Sequence, residues 1–149
     1  MRVLVIGGGM YGCHLALRLK SNNLEVDLFE KNKELFLESS GNNQFRLHQG
    51  FHYARNYITR SQSKKGFDIF LRDYGEFTKK IGKNFYFVPK KNSLLDFGTY
   101  MSIFSAEKYD FELLSKDQFK FLDQIEGGFQ VDERVIDVDG LREMFTEKL

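Results

Sequence analysis

The sequence has 149 residues, of which 42% are hydrophobic and 29% charged, and its formal net charge is +1. This composition is typical of a soluble globular chain with its own core, and the dispersed basic residues argue against nucleic acid as a partner. A single cysteine, Cys13, excludes an internal disulfide framework. With no signal peptide and no apolar stretch of membrane-spanning length, the sequence predicts a cytoplasmic chain without membrane contact.

The first 30 residues carry the most informative pattern. An apolar run over 3–6 is followed by Gly7-x-Gly9-x-x-Gly12, then by a helix pattern over 10–21 and a second apolar run over 25–29 that ends at Glu30. This order is that of a β-α-β dinucleotide-binding unit, in which residues 3–6 form an inner strand of the sheet rather than its edge.

Each glycine of this motif has a physical role. Gly7 permits the tight turn, Gly9 lets the backbone approach a pyrophosphate, and Gly12 lets the helix pack close to the strand. The phosphates then lie at the positive end of the helix dipole. Glu30 stands where a carboxylate accepts hydrogen bonds from an adenosine ribose.

The remaining elements follow from periodicity and turn signals. The pattern predicts a short helical turn over 33–38, a polar loop over 39–44 and a long helix over 59–81 that ends at Gly82. Residues 85–88 form a strand ended by Pro89, and residues 93–97 form its partner strand.

The last third of the chain is predicted in the same way. A helix over 98–109 precedes a short strand over 111–114, and Ser115-x-x-Gln118 resembles a capping box that opens a helix to about residue 125. Gly127-Gly128 breaks the chain before an extended segment over 129–136, and residues 138–149 form an amphipathic helix.

The segment after Glu30 distinguishes between classes of dinucleotide-binding domain. An ordinary NAD-binding domain continues with another helix and an apolar third strand. Here a polar loop is followed by residues 46–53, which are dense in polar and aromatic groups. This departure favours an FAD-type variant in which the chain leaves the sheet early.

Four motifs carry a resemblance to a known family. They are Gly7 to Gly12, Phe29-Glu30-Lys31, Ser40-Gly41-x-Asn43 and His48-x-Gly50-x-x-Tyr53. Together they resemble the N-terminal part of the D-amino-acid-oxidase-like FAD-dependent oxidoreductases, a superfamily that includes glycine oxidase and L-2-hydroxyglutarate dehydrogenase relatives. The segment from Asn43 to Arg55 more weakly resembles members found among surface-polysaccharide genes.

The resemblance implies an α/β fold: a partial FAD-binding Rossmann-like (β-α-β) domain with the beginning of a mixed α+β substrate domain. Residues 1–60 with 129–149 would form the FAD-binding portion, and residues 61–128 part of the substrate-binding or cap region. The C-terminal half of the usual fold would be absent, since relatives are more than twice this length.

The resemblance also assigns roles to residues. Gly7, Gly9, Met10, Tyr11 and Gly12 would line the FAD pyrophosphate, Glu30 would hold the ribose and Lys31 would flank the adenine. Ser39, Ser40 and Asn43 would contact the phosphates or the ribityl chain, although these residues also fit a simple polar turn.

Residues 48–52 would run near the isoalloxazine ring, and His48 and His52 are therefore candidate catalytic residues. Proton transfer, covalent attachment of the flavin and a purely structural role all remain open for them. Arg46 and Arg55 fit either a substrate anion or a salt bridge. No metal site is predicted.

The predicted function is that of the N-terminal portion of an FAD-dependent oxidoreductase, which oxidises a small-molecule C–N or C–O bond by hydride transfer to the flavin. The alternatives are a non-catalytic truncated dinucleotide-binding or interaction module, and a subunit whose site is completed by a second chain. Exposed apolar surface would favour self-association.

Overall fold

A computed structural model describes every residue from Met1 to Leu149. The chain forms two compact units: unit 1 comprises residues 1–45 and 136–149, and unit 2 comprises residues 46–135. The boundaries predicted from the sequence lie at other positions, after residue 60 and before residue 129. The assignment of cofactor and substrate binding to separate units stays a prediction.

Unit 1 begins with the predicted β-α-β arrangement. Strand β1 (Arg2–Ile6) leads into helix α1 (Met10–Ser21), and strand β2 (Glu25–Phe29) returns parallel to β1. This sheet has only two strands. Strand β1 therefore lies at a sheet edge within this chain, contrary to the predicted inner position, because the remaining strands pair among themselves in two other sheets.

Helix α1 contacts both strands of unit 1 and also the C-terminal helix α4 (Val138–Lys148). The Lys20 ammonium donates hydrogen bonds to the Lys148 and Leu149 carbonyl oxygens at 2.8 and 3.1 Å, so α1 caps the end of α4. Cys13 is fully buried in this unit, and burial raises the pKa of its thiol to about 11. The cysteine is thus a packing residue rather than a reactive thiolate.

The closest contact in unit 1 lies between α1 and the turn that follows β1. A Cβ atom built at Gly12 would overlap the carbonyl oxygen of Gly7. Any side chain at this position would force the helix away from the strand. The predicted packing role of Gly12 is therefore confirmed by its surroundings.

Unit 2 contains two small antiparallel sheets. In the first, β7 (Ile125–Val131) lies between β5 (Asn84–Pro89) and β6 (Glu112–Leu113). The second has the order β3 (Arg46–Leu47), β8 (Arg134–Ile136), β4 (Thr78–Lys80). Helices α2 (Tyr57–Tyr74) and α3 (Phe97–Ala106) complete the unit, together with short 3-10 turns at Phe51–Tyr53, Gly75–Phe77 and Lys116–Phe119.

Aromatic side chains form the core of unit 2. Phe51 is fully buried at its centre, with ring centroids 4.8 to 5.4 Å from those of Phe104, Tyr109, Tyr86 and Phe129. Such edge-on and tilted ring pairs are favourable beyond the area that they bury. The segment that carries Phe51 also carries the candidate histidines, so this core anchors it.

Two predicted elements near loops are wrong. Residues 93–97 do not pair with β5; they form a turn in which the Ser93 hydroxyl donates to the Leu95 carbonyl oxygen at 2.6 Å. Asp96 then caps α3 by accepting a hydrogen bond from the Thr99 amide, which draws Phe97 into the helix. The helical turn predicted over 33–38 is also absent, since Phe36 adopts a positive φ of 65°.

Three further predictions of helices or turns are wrong. The long helix ends at Tyr74 rather than at residue 81, since residues 78–80 form β4. The helix predicted to reach residue 125 is only a 3-10 turn, although its capping box at Ser115 and Gln118 is present. Gly127 and Gly128 lie within β7 rather than at a break.

None of the helices is long and apolar enough to cross a membrane.

We predict that Gly12→Ala lowers the free energy of unfolding by about 1–3 kcal/mol, because the added methyl group overlaps a backbone carbonyl that has little room to move. Chemical denaturation monitored by circular dichroism measures this change. Gly66→Ala is the matched control, since Gly66 also lies within a helix but has open space at its Cβ position. It should stabilise the chain by about 0.5–1 kcal/mol, and equal effects of the two substitutions would contradict the packing role of Gly12.

Candidate functional site

The turn between β1 and α1 is held by two backbone hydrogen bonds. Gly7 has a φ of +104°, a conformation that favours glycine, and its amide donates to the Phe29 carbonyl oxygen at 2.7 Å. The next amide, that of Gly8, donates to the Glu30 carboxylate at 2.6 Å. These two hydrogen bonds join the residues that follow β1 to those that follow β2, at the carboxyl ends of the two parallel strands.

Glu30 organises this edge through its two carboxylate oxygens. Oε2 accepts from Gly8, and Oε1 accepts from the Asn32 amide at 2.8 Å. The hydrogen bonds from the Asn32 and Gly8 amides hold the pKa of Glu30 below its ordinary value of 4.5. The carboxylate is ionised at neutral pH, and each oxygen retains a lone pair that can accept a further hydrogen bond from a ribose hydroxyl.

The start of α1 is closed by the polar loop. The Ser40 hydroxyl accepts a hydrogen bond from the Met10 amide at 3.0 Å, so it caps the first turn of the helix. A Cβ atom built at Gly9 would lie 3.1 Å from this hydroxyl, which explains why only glycine fits without displacement. Backbone amides at a helix N-terminus form a site for an anion such as a pyrophosphate.

The other predicted cofactor residues have varied surroundings. Tyr11 is 92% exposed. Lys31 forms an ion pair with Glu38 at 2.8 Å, with both side chains exposed. The Asn43 amide group donates to the Ser39 carbonyl oxygen at 2.7 Å and its oxygen accepts from the Phe45 amide at 2.6 Å. Asn43 thus stabilises its own turn, which is the structural alternative raised by the sequence.

A cavity of about 310 Å³ lies beside this turn, within unit 1. Its lining includes predicted residues, namely Gly7, Gly9, Glu30 and Lys31, together with Ile6, Phe29, Phe36, Leu37 and Glu38. Sequence reasoning missed the contribution of residues 36–38, because no spacing rule connects them to the glycine motif. The combination of a helix N-terminus, a carboxylate acceptor and a partly apolar wall fits the adenosine and pyrophosphate part of a dinucleotide.

Unit 2 contains a separate polar cluster around a fully buried carboxylate, that of Glu133. Its oxygens accept hydrogen bonds from the Arg46 guanidinium at 2.6 Å, the Gln49 amide at 2.8 Å and the Tyr86 hydroxyl at 3.0 and 3.2 Å. Arg46 therefore follows the salt-bridge alternative rather than facing an open anion site. Sequence reasoning missed Glu133, for which the only signal was a charge between two extended segments.

The two candidate histidines lie next to this cluster. The rings of His48 and His52 are 5.5 Å apart, and the His52 ring is 5.0 Å from that of Tyr86. Partial burial of the imidazole, followed by the neighbouring His48, lowers the pKa of His52. Nδ1 of His48 is buried without a hydrogen-bond partner, which is rare for a buried polar atom in a folded protein.

Comparison with known proteins reveals the family. The sequence profile of the DAO family, described as "FAD dependent oxidoreductase", matches residues 2–145. The chain belongs to this family of FAD-dependent oxidoreductases. The predicted family membership and the FAD cofactor are confirmed by this match.

Individual relatives agree with the family match. The chain is 42% identical over 145 residues to "FAD-dependent monooxygenase FPY4" of Fusarium mangiferae, which covers 97% of this chain and 39% of that protein. It is 33% identical over 69 residues to a mitochondrial L-2-hydroxyglutarate dehydrogenase of Caenorhabditis briggsae, covering 45% of this chain and 16% of that protein. The chain thus spans well under half the length of these curated relatives.

A solved structure supports the fold. The L-alpha-glycerophosphate oxidase of Mycoplasma pneumoniae, solved in a dithionite-reduced form with FAD bound, superimposes with a TM-score of 0.77 at 22% identity. The match covers 99% of this chain and 42% of that one. The predicted mixed α/β fold class of an FAD-binding oxidoreductase is therefore confirmed.

We predict that the stabilising effect of Glu30 depends on pH. Its pKa is lowered in the folded chain, so its hydrogen bonds to the Asn32 and Gly8 amides stabilise the fold above pH 4.5. That contribution is lost as the pH falls through the pKa of the folded state. In thermal melts from pH 3 to pH 7, the Tm difference between the wild type and Glu30→Gln should be largest at neutral pH and shrink in acid.

Glu25→Gln is the matched control for this experiment. Glu25 is an exposed glutamate that begins β2, remote from the glycine turn, whereas Glu30 directly follows the other end of this strand. If both substitutions produce Tm differences with the same dependence on pH, the special role of the Glu30 hydrogen bonds is disproved.

Proposed function

We propose that this chain is the cofactor-binding N-terminal portion of an oxidoreductase that oxidises a C–N or C–O bond of a small molecule by hydride transfer to FAD. The observation that carries the proposal is the β1–α1 turn. It brings the N-terminus of α1 beside Glu30, whose carboxylate accepts a hydrogen bond from the Gly8 amide at 2.6 Å. Family membership supplies the identity of the cofactor.

In this proposal the residues of unit 1 bind and orient the cofactor. Amides at the start of α1 hold the pyrophosphate, with the Met10 amide exchanging its hydrogen bond to the Ser40 hydroxyl, and Glu30 accepts from the ribose. Lys31 flanks the adenine once it exchanges its ion pair with Glu38, and Ser39, Ser40 and Asn43 shape the adjoining loop. Bound FAD would supply the hydride-accepting chemistry.

The proposed role of the unit 2 histidines is to hold or accept a proton from the substrate. A lowered pKa keeps the His52 imidazole neutral at pH 7, the state in which it can act as a base. His48, with its buried and unpartnered Nδ1, is the second candidate. Turnover of the natural protein separates the two interpretations, since substitution with Gln should leave it unchanged if the ring has only a structural role.

The Fusarium relative favours a second candidate function. That protein is named a monooxygenase, and its similarity extends over 97% of this chain. Oxygen insertion and simple oxidation differ in the fate of O₂. Incorporation of ¹⁸O from ¹⁸O₂ into the product of the natural protein would favour monooxygenation, whereas stoichiometric hydrogen peroxide without incorporation would favour an oxidase.

Partners and location remain proposals. The outer face of β1 and β2 exposes Leu4, Ile6 and Phe29, which are between 57% and 82% accessible. An uncovered apolar face of this kind supports self-association or pairing with a second chain that completes the site. A cytoplasmic location stays a prediction from the single reduced cysteine.

We predict that the chain binds ADP at the glycine turn and that Glu30→Ala weakens this binding about tenfold, since a charge-assisted hydrogen bond to the ribose is lost. Isothermal titration calorimetry with ADP measures the dissociation constants. Glu25→Ala, at the opposite end of β2, should bind as the wild type does. Equal affinity of the wild type and the Glu30 variant would remove Glu30 from the site.

We further predict that residues 1–149 alone do not catalyse steady oxidation of amines or hydroxy acids. Hydride transfer needs a pocket that orients the substrate against the flavin, and the chain spans only 39% of its Fusarium relative. Anaerobic spectra after addition of glycine, sarcosine, a D-amino acid or 2-hydroxyglutarate should show no flavin reduction. Bleaching at 450 nm with turnover would make the short chain an enzyme in its own right.

A further inference from the structure

The carboxylate of Glu133 is an unusual feature of unit 2, because it is fully buried in the turn between β7 and β8. A buried carboxylate is costly unless it is paired and hydrogen-bonded. Here three groups donate to it: the Arg46 guanidinium, the Gln49 backbone amide and the Tyr86 hydroxyl, whose single proton is shared between the two carboxylate oxygens. The negative charge of Glu133 therefore binds three groups of unit 2 at one position.

The donors to Glu133 surround the candidate histidines. Arg46 and Gln49 lie on either side of His48 in the sequence, one binding through its side chain and the other through its backbone amide. Tyr86, the third donor, packs its ring 5.0 Å from that of His52. The carboxylate is thus linked to the chain before and after His48 and to the ring that supports His52.

We propose that Glu133 is a positioning residue that holds His48 and His52 in a defined orientation through Arg46, the Gln49 amide and the Tyr86 hydroxyl. This inference rests on one part of the proposed function, namely that the histidines hold or accept a proton from the substrate. Glu133 does not itself need to touch substrate or cofactor. Its buried negative charge and the positive charge of Arg46 together set the electrostatic field at His52.

The groups that face His52 have opposing effects on its protonation. Partial burial has the largest effect and lowers the pKa of His52. His48 lowers it as well, Glu133 raises it and Arg46 lowers it. Tyr86 and Tyr53 contact the ring from β5 and from the same 3-10 turn, at 5.0 and 6.4 Å. Arg55 and Tyr100 also line the adjoining cavity of about 490 Å³.

These opposing effects distinguish positioning from simple support of the fold. If the geometry persists, Glu133→Gln removes a negative charge and lowers the pKa of His52, whereas Arg46→Gln removes a positive charge and raises it. If the cluster merely supports the fold, both substitutions expose the ring, and the pKa of His52 rises toward its ordinary value of 6.5 in each variant.

The experiment is an NMR titration of the histidine ring protons in the 149-residue chain, with amide spectra as the check on folding. Glu112→Gln is the matched control, since Glu112 is an exposed glutamate of the same unit and should leave the titration unchanged. A downward shift for Glu133→Gln with an upward shift for Arg46→Gln is expected. Shifts in the same direction, or no shift for Glu133→Gln, would overturn the proposal.

A second measurement covers the case in which Glu133→Gln does not fold. In the wild type, the Gln49 amide donates to a buried carboxylate, so its hydrogen exchange should be at least about a hundredfold slower than that of the exposed Arg55 amide. Equally fast exchange at both positions would show that the Glu133 contact is not maintained, and the proposal would fail.

The outcome is independent of the proposed function. ADP affinity, which reports on Glu30 in unit 1, is measured on the same samples and should be equal in the wild type and Glu133→Gln. Failure of the wild type to bind ADP would contradict the cofactor proposal and leave the histidine titrations to decide on Glu133.

Discussion

The close approach of α1 to the turn after β1 is the constraint on which unit 1 depends. No side chain can stand at Gly12 without overlapping the Gly7 carbonyl oxygen. This contact brings the positive end of α1 to the carboxyl edge of the sheet, where the Gly8 amide binds Glu30. One short distance between backbone atoms thereby places a helix terminus and a carboxylate on the same side of one cavity.

Unit 2 depends instead on paired buried charges. Glu133 binds the chain around His48, while Arg60, which is 5% exposed, donates to the Tyr53 and Ala54 carbonyl oxygens at 3.2 and 2.7 Å. Arg60 also forms an ion pair with Glu107 at the end of α3. The segment that carries the candidate histidines is thus held by one buried anion and one buried cation. Loss of either partner would leave an uncompensated charge in the interior.

The sequence predicted best where a local rule and a tertiary contact agree. The strands and helix over residues 2–29 follow from apolar periodicity and the glycine motif, and all three formed within a residue of their expected bounds. Asp96 is an N-cap residue that would have predicted the start of α3, because an aspartate at this position accepts a hydrogen bond from the Thr99 amide. Glu133 carried no local signal of this kind, because its role depends on distant residues such as Gln49, which is 84 positions away in the chain.

The errors have a common origin in packing between distant segments. Gly127 and Gly128 read as a chain break, but their missing side chains make room for the rings of Phe97 and Phe87 against β7. The apolar spacing that continues through Phe77 suggested a longer helix, yet residues 78–80 leave it to join β8 in a sheet. In each case pairing with a distant strand outweighs a local preference.

The sequence by itself determined the β-α-β unit, the positions of its glycines and the acidic residue after β2, because these depend on spacing within a short segment. Its resemblance to the FAD-dependent oxidoreductases was also present in the sequence, and the family match over residues 2–145 confirmed it. Only the tertiary structure decided that Glu30 is held by the Gly8 and Asn32 amides, and that Glu133 gathers Arg46, Gln49 and Tyr86 around the histidines. A buried carboxylate binds the donors that tertiary packing brings within hydrogen-bonding distance, and a local sequence pattern does not determine which residues these are.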